Sequence, residues 1–234
     1  MKWFSHSGDL GDIIYSLPTI RAAGGGKLIL FDYPGRTAHG MSVEKMERLR
    51  PLLEQQPYIH GVEWSDTRID CALNGFRDHC RDHGNLMDAH LATHGFSWEH
   101  RESKWLDVPC HKYGLPVVIA RSARYHNPRF PWKRIVEKYK KVAGFVGTLQ
   151  EHKDFTAEFG HVDFIEAGNF LELAQVIDGS QLFIGNQSAP GALSHGLFHP
   201  MIIELCPHNY KLGAIQRLNC VNGFDHKIDL PEIN

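Results

Sequence analysis

Two rhythms alternate along this chain: short apolar runs of strand length, and longer stretches whose apolar residues recur at the spacing of one helix face. Residues 1–4 form a first short apolar strand, which runs into a turn punctuated by Gly8 and Gly11 and then into a helix predicted from Asp12 to about Ala22. Gly24, Gly25 and Gly26 break that helix, and 27–31 (KLILF) reads as a buried strand. After a polar loop over 32–41, residues 43–56 place Met46, Leu49, Leu52 and Leu53 on one helical face until Pro57 ends the run. A short strand over 59–64 follows. Strand, helix and strand in this order imply a parallel α/β sheet.

The rhythm weakens over 70–105, and 106–116, with prolines near both ends, is the best linker. Beyond it the alternation resumes. Strands are expected at 117–120, 144–146, 162–165, 181–184 and 201–205, with helices at 132–142, 151–159, 170–177 and 189–197 between them. That is a second, Rossmann-like α/β unit. The chain is therefore divided into an N-terminal domain, 1–112, and a C-terminal domain, 113–234.

The turn over 5–21 (SHSGDLGDIIYSLPTIR) carries the first candidate chemistry. A helix start there presents unpaired N–H groups with partial positive charge, which suit an anion or a developing negative charge. The spacing is neither the three-glycine dinucleotide fingerprint nor a P-loop, since no third glycine and no Gly-Lys-Ser/Thr follow. Asp9 and Asp12 sit on the turn, and an acid at a helix start also has a purely stabilising reading through the macrodipole.

Composition narrows the setting without naming a partner. The 234 residues carry a formal charge of -2, which gives no global attraction to nucleic acid or anionic membrane. Five scattered cysteines with no C-x-x-C pair, and no apolar run long enough to span a bilayer, lead to the expectation of a reduced, cytoplasmic, soluble protein. Of 16 histidines, His79, His83, His90 and His94 form two His-x-x-x-His pairs that could each present imidazoles on one helix face to zinc. No H-E-x-x-H accompanies them, and the expectation is no metal.

The segment GDLGDIIYSLPTIRA resembles the N-terminal motif of the ADP-heptose:lipopolysaccharide heptosyltransferases, glycosyltransferase family nine, in which Gly-Asp opens a helix carrying Leu-Pro-x-[IL]-[RK]. Pro57, Tyr58, Ile59 and His60 are similar to a second phrase of that family. The resemblance places Asp12 on the position of the general base, with Gly11, Asp9 and His6 on the acceptor side. Residues 172–200 are similar to the family's donor-binding signature: Ser188 and Pro190 match, while Gln187, Ala189 and Ala192 replace Asp, Gly and His. A strand-to-helix turn there still offers backbone N–H groups and the Ser188 hydroxyl to a diphosphate. The loop after the strand at 117–120 supplies Arg121, Ser122 and, in Pro128-Arg129-Phe130-Pro131, a basic residue for the donor phosphate.

The resemblance implies a GT-B-like fold, two Rossmann-like domains facing across a cleft, and an inverting, metal-independent transfer of a sugar from a nucleotide-sugar, with no further cofactor. Two acceptors stay open. One is a glycan or lipopolysaccharide; the other is a hydroxylated DNA base, suggested by a size typical of virus-encoded enzymes and by basic and aromatic residues interleaved over 121–141. A non-catalytic nucleotide-binding protein is the third reading, favoured if Gln187 and Ala192 mark a decayed site.

Overall fold

The computed structural model describes residues 1–32, 40–66, 73–109, 115–215 and 217–233. Two compact units divide it, one formed by Met1–Val108 with Asn169–Leu171, the other by Pro109–Gly168 with Glu172–Asn234.

In the first unit β1 (Trp3–His6), β2 (Gly26–Phe31) and β3 (Ile59–Ser65) form a parallel sheet in that order, connected by α1 (Leu10–Ala22) and α2 (Val43–Glu54). Residues 13–20 of α1 are all buried, as expected of a helix that is apolar on every side. Its start differs from the expectation: the helix begins at Leu10, with Asp9 as N-cap and Gly11 already inside the first turn. Asp is a favoured N-cap because its side chain accepts from the free N–H groups of that turn. At the other end a Cβ on Gly26 would stand 2.6 Å from the Lys2 carbonyl, so only glycine lets β1 and β2 pair here.

The stretch read as irregular holds two helices, α3 (Phe76–His83) and α4 (Leu86–Thr93), preceded by a 3-10 turn (Leu73–Gly75). Asn85 caps α4 by accepting the Asp88 N–H at 2.9 Å. Both helices are too short for a clear periodicity, which is why the pattern there is weak.

The second unit is a six-stranded parallel sheet in the order β6-β5-β4-β7-β8-β9. Its strands are β4 (Val117–Ala120), β5 (Ala143–Phe145), β6 (Asp163–Phe164), β7 (Leu182–Asn186), β8 (Met201–Glu204) and β9 (Cys220–Gly223), the last not foreseen from the pattern. Connecting them are α5 (Trp132–Tyr139), α6 (Leu149–Phe159), α7 (Phe170–Asp178), whose first residues belong to the first unit, α8 (Ala189–Leu197) and α9 (Tyr210–Gly213). The chain winds outward from β4 to β6 and then back through β7 to β9, so the direction of winding reverses between β4 and β7. In sheets of this kind ligands bind beyond the carboxyl ends of the strands at that reversal. Every residue of β4 is buried, as a strand covered on both faces should be.

Candidate functional site

In the first unit the turn between β1 and α1 is held from below by His6. Fully buried, it accepts the Gly8 N–H through Nδ1 at 2.8 Å. Gly8 is irreplaceable on steric grounds: an added Cβ would lie 2.6 Å from the His6 ring, 2.7 Å from Asp12 Oδ2 and 2.8 Å from Asp12 Cβ. Asp12, third residue of the helix, turns its carboxylate back over this glycine. Its Oδ2 accepts the Asp9 N–H at 3.3 Å and Arg77 Nη2 at 2.6 Å. Asp9 in turn lies 3.8 Å from Lys45 Nζ. Ser7 is bracketed by Asn74, which accepts its N–H at 3.2 Å and donates to its hydroxyl at 3.0 Å.

Beneath these groups is a stack of rings. Phe76 lies on His90 with centres 4.0 Å apart, and His6 is 5.4 Å from His90 and 5.8 Å from Phe76. Burial, helped by the neighbouring His6, His94 and Arg77, pushes His90 well below its ordinary pKa, so it is neutral. His90 therefore serves as packing within this stack, and among the described residues no group of three or more His, Cys, Asp or Glu could hold a metal ion. The side chains of Cys80 and His83, and all of Cys71 and Cys110, lie outside the described residues.

In the second unit the ends of β4 and β7 are tied by Asn186, which is fully buried. Its Oδ1 accepts the Ser122 N–H at 3.0 Å, and its Nδ2 donates to the carbonyls of Ser122 at 3.1 Å and Arg124 at 2.6 Å. Ser122 is thus part of a clamp that shapes the loop. Gln187 makes a second clamp, its Oε1 accepting the Cys206 N–H at 2.7 Å and its Nε2 donating to the Asn209 carbonyl at 2.8 Å. Ser188 is the N-cap of α8, and its hydroxyl donates to the Asn186 carbonyl at 3.2 Å. Ala189 and Pro190 open the helix, half-buried, and proline contributes no N–H. The backbone donors of this first turn are therefore those of Ala189 and Gly191.

Arg121, expected on the donor side, is held by a buried acid. Its Nε and Nη2 meet the two oxygens of the fully buried Glu204 at 3.1 and 3.4 Å, and Glu204 also accepts the Asn127 N–H at 2.6 Å and Trp132 Nε1–H at 2.9 Å. Arg129, by contrast, is exposed and its side chain makes no hydrogen bond or ion pair among the described residues. A cavity of about 200 Å³ opens beside Arg121, Ser122 and His126 and is walled by Glu151, Asp154 and Glu158 of α6. The sequence reading missed these three acids, together with Asn74, Arg77, Asn127, Asn186 and Glu204.

The basic run over 121–141 is only in part a free surface. Arg134 donates to the His226 carbonyl at 3.0 Å and to that of Ile228, Lys138 donates to the Leu230 carbonyl at 2.9 Å, and Tyr139 donates to the Pro231 carbonyl at 2.7 Å. These groups of α5 hold down the C-terminal tail, which gives the nucleic-acid reading no support. No helix among the described residues is long and apolar enough to cross a membrane.

Two parallel α/β units, the second doubly wound with its switch point at β4 and β7, define the class of fold. No protein-family model and no curated protein matches the sequence. In three dimensions the chain is similar to the glycosyl transferase family 9 structure from Veillonella parvula at 11% identity, over 86% of this chain and 79% of that one, with a TM-score of 0.57. It is also similar to E. coli ADP-heptose lps heptosyltransferase II at 12% identity, over 97% and 89%, TM-score 0.53. A third such structure is E. coli heptosyltransferase WaaC with ADP, at 12% identity, over 94% and 91%, TM-score 0.51. At these identities the likeness defines the fold, which is of the glycosyltransferase family 9 kind.

Proposed function

We propose that this protein is a nucleotide-sugar-dependent glycosyltransferase in which Asp12 is the general base. The observation that carries the reading is the Asp12 carboxylate, third in α1, folded back over a glycine that tolerates no side chain and bonded to the Asp9 N–H and Arg77. So built a turn is more than a helix needs for its cap. In the transfer Asp12 takes the acceptor's hydroxyl proton as the oxygen attacks the anomeric carbon and the diphosphate leaves with the bonding electron pair. The first turn of α8 and Arg129 take up the negative charge of the leaving group, and no D-x-D phrase in the sequence suggests a metal for that task. The acid-walled cavity beside α6 suits the uncharged, hydroxyl-bearing and amine-bearing nucleoside end of the donor, which carboxylates can accept hydrogen bonds from. The neighbours described as heptosyltransferases, one solved with ADP, support an ADP-linked sugar as donor and a lipopolysaccharide or related glycan as acceptor.

The test is turnover of ADP-heptose with a lipopolysaccharide-core acceptor by the full chain. Asp12→Asn is expected to lower turnover by roughly 10²–10⁴-fold, the usual worth of a positioned base, with ADP affinity unchanged. Full turnover by that variant refutes the assignment of the base.

A further inference from the structure

Arg77 is placed with more care than a surface ion pair requires. Its guanidinium lies 4.8 Å from the centre of the Phe76 ring, and Phe76 is itself fully buried against His90 and His6. His6 is the residue that pins the Gly8 N–H. One ring stack therefore fixes both the turn that carries Asp12 and the arginine that meets its carboxylate. The side chain of Arg77 is 43% exposed and that of Asp12 is 14% exposed. A pair this exposed contributes little to stability, so its geometry matters here for the direction it gives the carboxylate.

Building on the glycosyltransferase reading, we propose that Arg77 is the positioning residue for the Asp12 base, holding the ionised carboxylate in one rotamer toward the acceptor hydroxyl. A guanidinium is fitted to this because it stays charged at every working pH and directs planar, fixed N–H donors at a carboxylate. In the step it orients, the acceptor oxygen forms a bond to the anomeric carbon and the bond from that carbon to the donor's phosphate oxygen breaks. The hydroxyl proton passes to Asp12 and afterwards to solvent, and Arg77 keeps its own protons throughout. The other groups around the carboxylate are the Asp9 N–H from the turn and His6 from β1, with Lys45 of α2 engaging Asp9. From α4 comes His90, neutral, with His94 beyond it. Arg77 is in direct contact with Asp12, its Nη2 2.6 Å from Oδ2.

The experiment uses the full chain as wild type, Arg77→Gln, Arg77→Lys and Asp12→Asn. The carboxyl carbon of Asp12, assigned by its absence from the Asp12→Asn spectrum, is titrated by NMR without any ligand. Loss of the neighbouring cation disfavours the ionised carboxylate, so Asp12 of Arg77→Gln is expected to titrate at higher pH than in wild type, with Arg77→Lys close to wild type. With ADP-heptose and acceptor, the acid limb of the kcat profile should move upward in pH in parallel. At its plateau kcat should still fall on the order of 10²-fold through lost orientation, while the KM for donor stays put. An unchanged titration and unchanged kcat in Arg77→Gln, with Asp12→Asn inactive, overturn this inference alone. Full turnover in Asp12→Asn overturns the base assignment and the inference with it.

Discussion

Glu204→Gln is the substitution expected to damage the second unit most for the smallest change in shape. Each oxygen of Glu204 accepts from two donors: Oε1 from the Asn127 N–H at 2.6 Å and Arg121 Nη2 at 3.4 Å, Oε2 from Trp132 Nε1 at 2.9 Å and Arg121 Nε at 3.1 Å. Whichever way a glutamine amide is turned, its NH2 faces two donors instead of an acceptor's partners, and Arg121 loses its buried counter-charge. Breaking a buried pair by neutralising one partner costs about 3–5 kcal/mol. The total stability of a domain is roughly 5–15 kcal/mol, so the loss is a large fraction of it. Urea unfolding followed by far-UV circular dichroism measures it, and the coupled variant Arg121→Met with Glu204→Gln tests the cause. The two changes should fall short of additivity by about 1–3 kcal/mol, because the second removes a charge already stranded by the first. A cost below about 1 kcal/mol for Glu204→Gln, or strict additivity, would refute the structural role given to this pair. Loss of ADP affinity in a fully stable Arg121→Met would assign Arg121 to the donor site as well.

Two further outcomes are expected in the first unit. Gly8→Ala drives a methyl to 2.6–2.8 Å from the His6 ring and Asp12, neither of which can yield, so thermal unfolding should report an overpacking loss of about 1–3 kcal/mol and turnover should fall with it; unchanged melting would contradict the packing described. His90 is neutral in the folded protein because its pKa is held well below the ordinary 6.5, so the unfolded chain binds a proton that the native state does not as pH falls below about 6.5. Stability attributable to His90 is therefore full above that pH and is lost progressively toward the depressed native value, by up to about 1.4 kcal/mol per pH unit. His90→Phe should remove this part of the pH dependence of the urea midpoint, and identical slopes in both proteins would show that His90 does not titrate as stated.

The turn at Asp12 was legible because its determinants are local: a strand, a glycine and two acids within a few residues of one another. Even so, Gly11 lies inside the helix and not in the loop that the pattern suggests, since glycine in a first turn and glycine in a tight turn look alike in sequence. Arg77 was not legible. It meets Asp12 across 65 residues of chain, from a short helix with no clear periodicity, and no local signal connects the two. Arg121 shows the same limit from the other side. A basic residue at the end of a strand suggests a phosphate ligand, but its acidic partner stands 83 residues later at the end of another strand, and only the pairing of β4, β7 and β8 brings them together.

Gln187 bears on whether the departures from the resembled donor signature mark a decayed site. A carboxylate at this position could accept the Cys206 N–H but could not donate to the Asn209 carbonyl, and an amide does both, at 2.7 and 2.8 Å. The loop it engages is shaped to match, for a Cβ on Gly213 would come within 2.7 Å of Gln187 Cγ. Donor, acceptor and a glycine that makes room for the side chain belong to one arrangement. Gln187 therefore holds the loop after β8 against the start of α8. Ala189 and Gly191 present the backbone N–H groups of that helix, and in the proposed transfer the exposed Arg129 is the side-chain charge offered to the diphosphate.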